Sequence, residues 1–336
     1  MGGKILTAVL IICLGLCGCG KSAADGEAKT AFTINGEAVS LKEWNFYVRM
    51  NQMQWEKANL ESLGDDMWSI EVEEDKTTMA DALKEEVMEI ICRIHLANQH
   101  AEEYAVALDE DRLQETKQRA EEFMGAYNKE LLAFAGADES YVFDRLCEKE
   151  LSLLVEEAAT ASYEPDIPEE DIVREGICYV LISTTGVRDD DGTVTPFTEE
   201  ELKEKEEQAR RLCEEARASG DLEAAADAEG LMPVVSSMSM KEGLDTKDPV
   251  MLKEARALKV GEISDVIRSE DGWFLVQHTS SYDEEGTEFW REYLTDQARG
   301  EEYERIYEGW KSSARIEPDQ EVMDEVDVKI VLKELL

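Results

Sequence analysis

The sequence predicts a mainly α-helical protein with a small α+β domain inserted into it. Three observations carry that expectation. Apolar residues recur at three-four spacing from Leu41 to about residue 163, the mark of helices with one buried face. The pattern then changes after Glu164-Pro165-Asp166-Ile167-Pro168, whose prolines resist helix continuation, to runs rich in strand formers. Finally, helical spacing returns from Thr287 through Trp310, with Phe289, Trp290, Leu294, Tyr303, Ile306 and Tyr307 on a stripe that needs a partner. The N- and C-terminal segments, 32–165 and 284–336, are therefore expected to build one helical domain around an insertion at 166–283.

Each element has a local reason. Phe32 to Val39 gives a short strand and an Asn35-Gly36 turn. Ser40-Leu41-Lys42-Glu43 is a capping-box pattern that starts a helix carrying Trp44, Tyr47, Val48 and Trp55. A second helix, about 79–103, carries Leu83, Val87, Ile90, Ile91 and Ile94 on one face. Helices near 109–127 and 138–161 follow, the latter with Tyr141, Leu146, Leu151 and Leu154. Beyond the linker, Gly176-Ile177-Cys178-Tyr179-Val180-Leu181-Ile182-Ser183 reads as a strand buried on both faces. A polar loop leads to a helix at about 199–219, stopped by Gly220. A shorter helix at about 249–258 carries Met251, Leu252, Ala255 and Leu258. Asp271-Gly272 then turns the chain into the strand 273–278.

The N-terminus is of a different kind. Lys4 precedes an apolar run, Ile5 to Leu16, too short to span a bilayer as a mature helix and suited to a signal-peptide core. The ending Leu16-Cys17-Gly18-Cys19 resembles a bacterial lipobox, which implies removal of residues 1–18 and a lipid on Cys19. Residues 19–31 are small and polar, an expected tether. The chain is thus expected to be anchored to the cell membrane on its extracytoplasmic face.

Charge excludes one class of partner. The net charge of −43 becomes −44 when residues 1–18, with the single charge of Lys4, are removed. No basic surface is available to neutralise phosphates, so no nucleic acid is expected, and anionic lipid repels the body of the protein. Cys92, Cys147, Cys178 and Cys213 sit among apolar residues with no CxxC pair, and read as small core side chains.

Residues 220–278 resemble a parvulin-type peptidyl-prolyl isomerase domain. Gly220-Asp221-Leu222-Glu223-Ala224-Ala225-Ala226 is similar to that family's Gly-x-Asp-Phe-x-x-Leu-Ala segment. Leu258 to Ser264 is similar to its Leu-x-x-Gly-Glu-Ile-Ser turn, Gly272 to Val276 to its Gly-Tyr-His-Ile-Ile strand, and Tyr179 to Ile182 to its His-Ile-Leu-Val strand. The surrounding helices, with Ile34-Asn35-Gly36 and Ala314-Arg315-Ile316-Glu317, resemble the chaperone segments of SurA- and PrsA-like foldases. That resemblance implies a folding factor whose partners are unfolded secreted polypeptides, and no cofactor.

The departures bear on activity. Where the family places two histidines and a Cys or Asp, this chain has Tyr179, Phe274 and Met232. His278 lies four residues past the lost second histidine, and His95 and His100 fall in the helical part. A degenerate proline pocket is expected from Tyr179, Met232, Met251, Trp273 and Phe274, with Trp44, Tyr47 and Trp55 as candidate chaperone contacts. No catalytic residue and no metal site is assigned. Asp189-Asp190-Asp191-Gly192 lacks the glycine that a calcium loop needs at its sixth position, where Val194 stands, and reads as a hairpin loop. Two other readings stay open: an active isomerase using another polar set, and a solute-binding lipoprotein of a transporter. The second would require two α/β lobes.

Overall fold

Short polar side chains set where the helices begin. The computed structural model describes residues 29–72, 76–188 and 193–332. The signal segment, Cys19, most of the tether and the Asp189–Gly192 loop lie outside them. In chain order the elements are β1 (Thr30–Ile34), β2 (Glu37–Ser40), α1 (Leu41–Leu63), α2 (Met79–Gln99), α3 (Glu110–Ala126), α4 (Lys129–Ala135) and α5 (Glu139–Thr160). There follow α6 (Glu169–Ile172), β3 (Glu175–Ser183), β4 (Val187–Arg188), β5 (Val194–Thr195), α7 (Glu199–Ser219), α8 (Leu222–Ala228), β6 (Val234–Met238) and α9 (Pro249–Ala257). The chain ends with β7 (Ile267–Arg268), β8 (Gly272–Ser280), α10 (Glu284–Ser313), β9 (Ile316–Pro318) and α11 (Gln320–Met323). Ser40 caps α1 by accepting from Glu43 N, but the Glu43 side chain turns inward, so only half of the expected box forms. Thr78 with Asp81, and Thr198 with Glu201, form the full reciprocal box on α2 and α7.

The chain divides into two units, residues up to 159 with 306 onward, and 160–305. The first unit is helical around a three-stranded antiparallel sheet of order β2-β1-β9. Asn35 and Gly36 take φ of 54° and 86° in the β1–β2 turn, the left-handed pair that an Asn-Gly hairpin requires. Its core joins Phe32, Trp44, Leu83, Val87, Ile91 and Tyr307. The C-terminal segment is part of that core rather than a loose tail. Gln52 Nε2 donates to the carbonyls of Val328 and Ile330 at 3.0 and 2.8 Å, and Leu332 N donates to Glu56 Oε2 at 2.7 Å.

The second unit is a four-stranded antiparallel sheet of order β6-β3-β8-β7. Helices α7 and α8 cover one face through Leu212, Ala216, Leu222 and Ala226, packed with Val180, Ile182 and Leu275. Helix α9 covers part of the other through Met251, Leu252 and Ala255, packed with Ile177, Met238, Phe274 and Val276. Strand β3 is therefore covered on both faces over part of its length, with Tyr179 half-buried and Leu181 exposed where the continuous apolar run predicts burial. Strands β4 and β5 pair as a small hairpin.

Helix α10 differs from the expectation that its whole stripe docks onto the N-terminal helices. Tyr307 and Trp310 pack in the first unit, with Trp310 stacked on His100 at 4.3 Å between ring centroids. Phe289 is 65% exposed, and Trp290 instead lies under Arg174 in the second unit. A stripe continuous in sequence is divided between two partners, which periodicity alone does not reveal. No helix among the described residues is long and apolar enough to cross a membrane.

Candidate functional site

Strand alternation decides which of the expected pocket residues can meet. Tyr179 pairs with Val276 and Leu181 with Phe274, so Tyr179 and Phe274 are diagonal neighbours on one face of the sheet. Their ring centroids lie 6.2 Å apart at 52°, within aromatic contact distance. Phe274 is 4% exposed and Met251, from α9, is fully buried beside it. The two rings and Met251 belong to one packed cluster on this face.

The other two expected residues are elsewhere. Trp273 follows the alternation to the opposite face, packed on the α7–α8 side. It lines an open cleft of about 870 Å³ with Lys203, Arg210 and Arg268. Met232 lies two residues before β6 and is 86% exposed. Three of the five residues thus share a face, and Trp273 and Met232 do not join them. His278 is occupied as a structural group. Its Nδ1 and Nε2 lie 3.0 and 3.1 Å from the carbonyls of Leu258 and Ser280, and Nε2 is 2.7 Å from Glu175 Oε2.

Sequence reasoning missed the apolar surface beside this cluster. Tyr179 is half-buried, and Leu181 and Val234 are 38% and 41% exposed on the same face, where α9 does not reach. The alternation of Ile177, Tyr179 and Leu181 was the available signal, since the short α9 cannot cover all three. Strand β6 was missed because Val234-Val235-Ser236-Ser237-Met238 mixes exposed apolar and polar residues without clean alternation.

The expected chaperone contacts on α1 serve mainly as core. Trp44 is fully buried, with its Nε1 donating to the Met323 carbonyl at 3.1 Å, so it presents no contact surface. Trp55 is partly buried and stacks on Trp68 at 6.0 Å. Tyr47 is partly buried between two apolar clusters, and burial pushes its phenol well above the usual range.

The chemically richest group in the molecule lies in the first unit. Glu43 on α1, His95 on α2 and Glu148 on α5 place one potential ligand atom each within 4.8 Å of one another. His95 Nε2 lies 2.8 Å from Glu43 Oε1, and Arg145 Nη1 lies 2.8 Å from Glu43 Oε2 while its other arm holds Glu148. Burial opposes charge on His95, but its hydrogen bonds with Glu37 and Glu43 outweigh that and hold it up at about 9. The bond from His95 holds Glu37 down at about 2, and burial raises Glu148 to about 7 against the pull of Arg145. Arg145 and protonated His95 already supply the positive charge that a metal would bring. The group acts as a clamp between elements.

No protein-family model matches the chain, and no curated protein does. Among solved structures it is similar to the foldase PrsA of Lactococcus lactis, at 13% identity and a TM-score of 0.36, covering 92% of this chain and 93% of that one. It is similar to the peptidylprolyl isomerase PrsA of Bacillus anthracis at 16% identity and a TM-score of 0.28, over 73% and 95% of the two chains. A SurA-like chaperone structure from Campylobacter jejuni matches at 13% identity and a TM-score of 0.26, over 86% and 98%.

Proposed function

We propose that this chain is a lipid-anchored, extracytoplasmic folding factor of the PrsA/SurA type, which holds unfolded secreted polypeptides and gives little or no prolyl isomerisation. The observation that carries the reading is the contact of Tyr179 with Phe274 over Met251. Isomerisation breaks no covalent bond but must lower a barrier of ~18–20 kcal/mol by favouring a twisted amide over both planar forms. A phenylalanine ring packed beside one phenol does not supply the paired polar groups for that. The half-open surface of Tyr179, Leu181 and Val234 does suit apolar segments of a client, and the motif ending in Cys19 supports the anchor.

Two assays on one preparation test the reading: suppression of aggregation of an unfolded client, and cis/trans exchange of a proline peptide. Suppression with little acceleration is the expected result, and Tyr179→His with Phe274→His is the attempted gain of exchange activity. Robust exchange in the wild type that Phe274→Ala abolishes would show an active isomerase instead. For the anchor, Cys19→Ala should abolish lipid labelling, and labelled Cys19→Ala protein would disprove it.

A further inference from the structure

The geometry points to the free edge of the second unit's sheet, at Val235, as the place where a client binds: a short extended segment adds there as a fifth strand, with apolar and basic side chains alternating. This rests on the reading of the chain as a binder of unfolded polypeptides. It specifies how such a polypeptide is held and which segments are preferred.

Strand β6 ends the sheet order, with only β3 beside it. Lys247 Nζ donates to the Ser237 carbonyl at 2.8 Å, so that carbonyl points away from the sheet. By the two-residue period of a strand, the N–H and C=O of Val235 point the same way, while Val234 and Ser236 face Tyr179 and Ile177 in the β3 ladder. The outward groups of Val235 have no partner among the described residues, and the residue is 64% exposed. The opening is short because both ends are closed. Past Ser236, Lys247 takes the carbonyl of Ser237, and a Cβ at Gly286 would come within 2.5 Å of Ser237 Oγ. At the other end Pro233 has no N–H to offer.

The flanking side chains define the occupant. On the α9 face, the added strand would meet Val234 and the half-open Tyr179 and Leu181, all apolar. On the other face lies Val235, opposite Cys178. Cys178 packs there against Leu222, Ala225 and Ala226 of α8, and Glu223 and Asp227 of that helix and its capping Asp221 are exposed. A strand that puts apolar residues on one face and lysine or arginine on the other satisfies both. The net charge of −43 also turns away acidic segments and a second copy of this chain. Main-chain bonding is indifferent to side-chain identity, which suits a site that must take many clients.

The test uses the purified full-length protein and a fluorescent ten-residue peptide of alternating valine and lysine. Saturable binding is expected, with the Val235 amide gaining protection from hydrogen exchange. The fully N-methylated peptide and an alternating valine–glutamate peptide should each bind at least tenfold more weakly. Val235→Pro removes the outward N–H together with the valine side chain and should weaken binding about tenfold with unchanged circular dichroism; if that variant misfolds, Val235 exchange in the wild type decides. Unchanged Val235 exchange at saturating peptide, or binding that survives N-methylation, overturns the edge site. Val235 protection that rises with protein concentration alone overturns it in favour of self-association. Peptide bound at Val235 without suppression of client aggregation leaves the edge site standing and removes the folding-factor reading. Suppression that is intact in Val235→Pro, with no peptide protection at Val235 in the wild type, does the reverse.

Discussion

The two units place their buried polar side chains differently. The first unit buries Glu43 and His95, with Arg145 half-buried beside them, where β2, α1, α2 and α5 meet, and lays Arg49, Gln52 and Glu56 under the C-terminal segment. In the second, the sheet face where the parvulin resemblance implies a polar catalytic group holds Tyr179, Phe274, Met251 and Val276. A buried titratable cluster with displaced pKa values is often taken as the mark of an active site. In this molecule that mark falls on a clamp. The region where chemistry was expected offers mainly apolar surface, with His278 held by Glu175 and the Leu258 carbonyl, and an open strand edge.

The contrast makes the first unit dependent on residues 306–336 and leaves the second independent of them. Ending the chain at residue 305 removes Tyr307, Met323, Val326, Val328 and Leu332, all at most 5% exposed. At about 1.5–3 kcal/mol per buried side chain their loss is roughly 7–15 kcal/mol, comparable with the whole stability of a domain of ~5–15 kcal/mol. Calorimetry of the truncated chain should show one melting transition where the full chain shows two, the survivor belonging to residues 160–305. A truncated chain that keeps both transitions would mean that the C-terminal segment is not part of the first core.

Sequence made much of this legible where one face of one element decided the outcome. The buried stripe of α2, the cap at Ser40, the stop of α7 at Gly220 and the Asn35-Gly36 turn all follow from local pattern. What escaped it needed two elements at once. Strand β9 is three residues long and exists only because β1 offers an edge, with Phe32 opposite Pro318. The charged clamp joins residues separated by as many as 111 positions, from Glu37 to Glu148, and the one motif among them, the capping box with Glu43, points to a helix start rather than to a clamp. Within the expected pocket, adjacency in sequence misled: Trp273 and Phe274 are neighbours in a strand and therefore face opposite sides.

The clamp also makes the first unit sensitive to pH in a direction the second does not share at its apolar face. The groups facing one another are Glu37 from β2, Glu43 from α1, His95 from α2, and Arg145 and Glu148 from α5. His95 is held up from 6.5 to about 9, so its stabilisation is complete below pH 6.5 and lost as pH rises through 9. Glu148, raised from 4.5 to about 7 by burial, also favours the folded state at the acid end of its range and ceases to do so by pH 7. Glu37 runs the other way: held at about 2, it stabilises above pH 4.5 and fails as pH falls toward 2. Stability of this unit should therefore peak near pH 5 and decline toward pH 9, with His95 contributing at most about 3 kcal/mol of the fall. The transition that truncation at residue 305 removes should move to lower temperature from pH 6.5 to 9, while the other moves less. His95→Gln should lower the first transition at pH 6 and flatten its slope above 6.5. An equal slope in wild type and His95→Gln would mean that the proton is held elsewhere in the clamp.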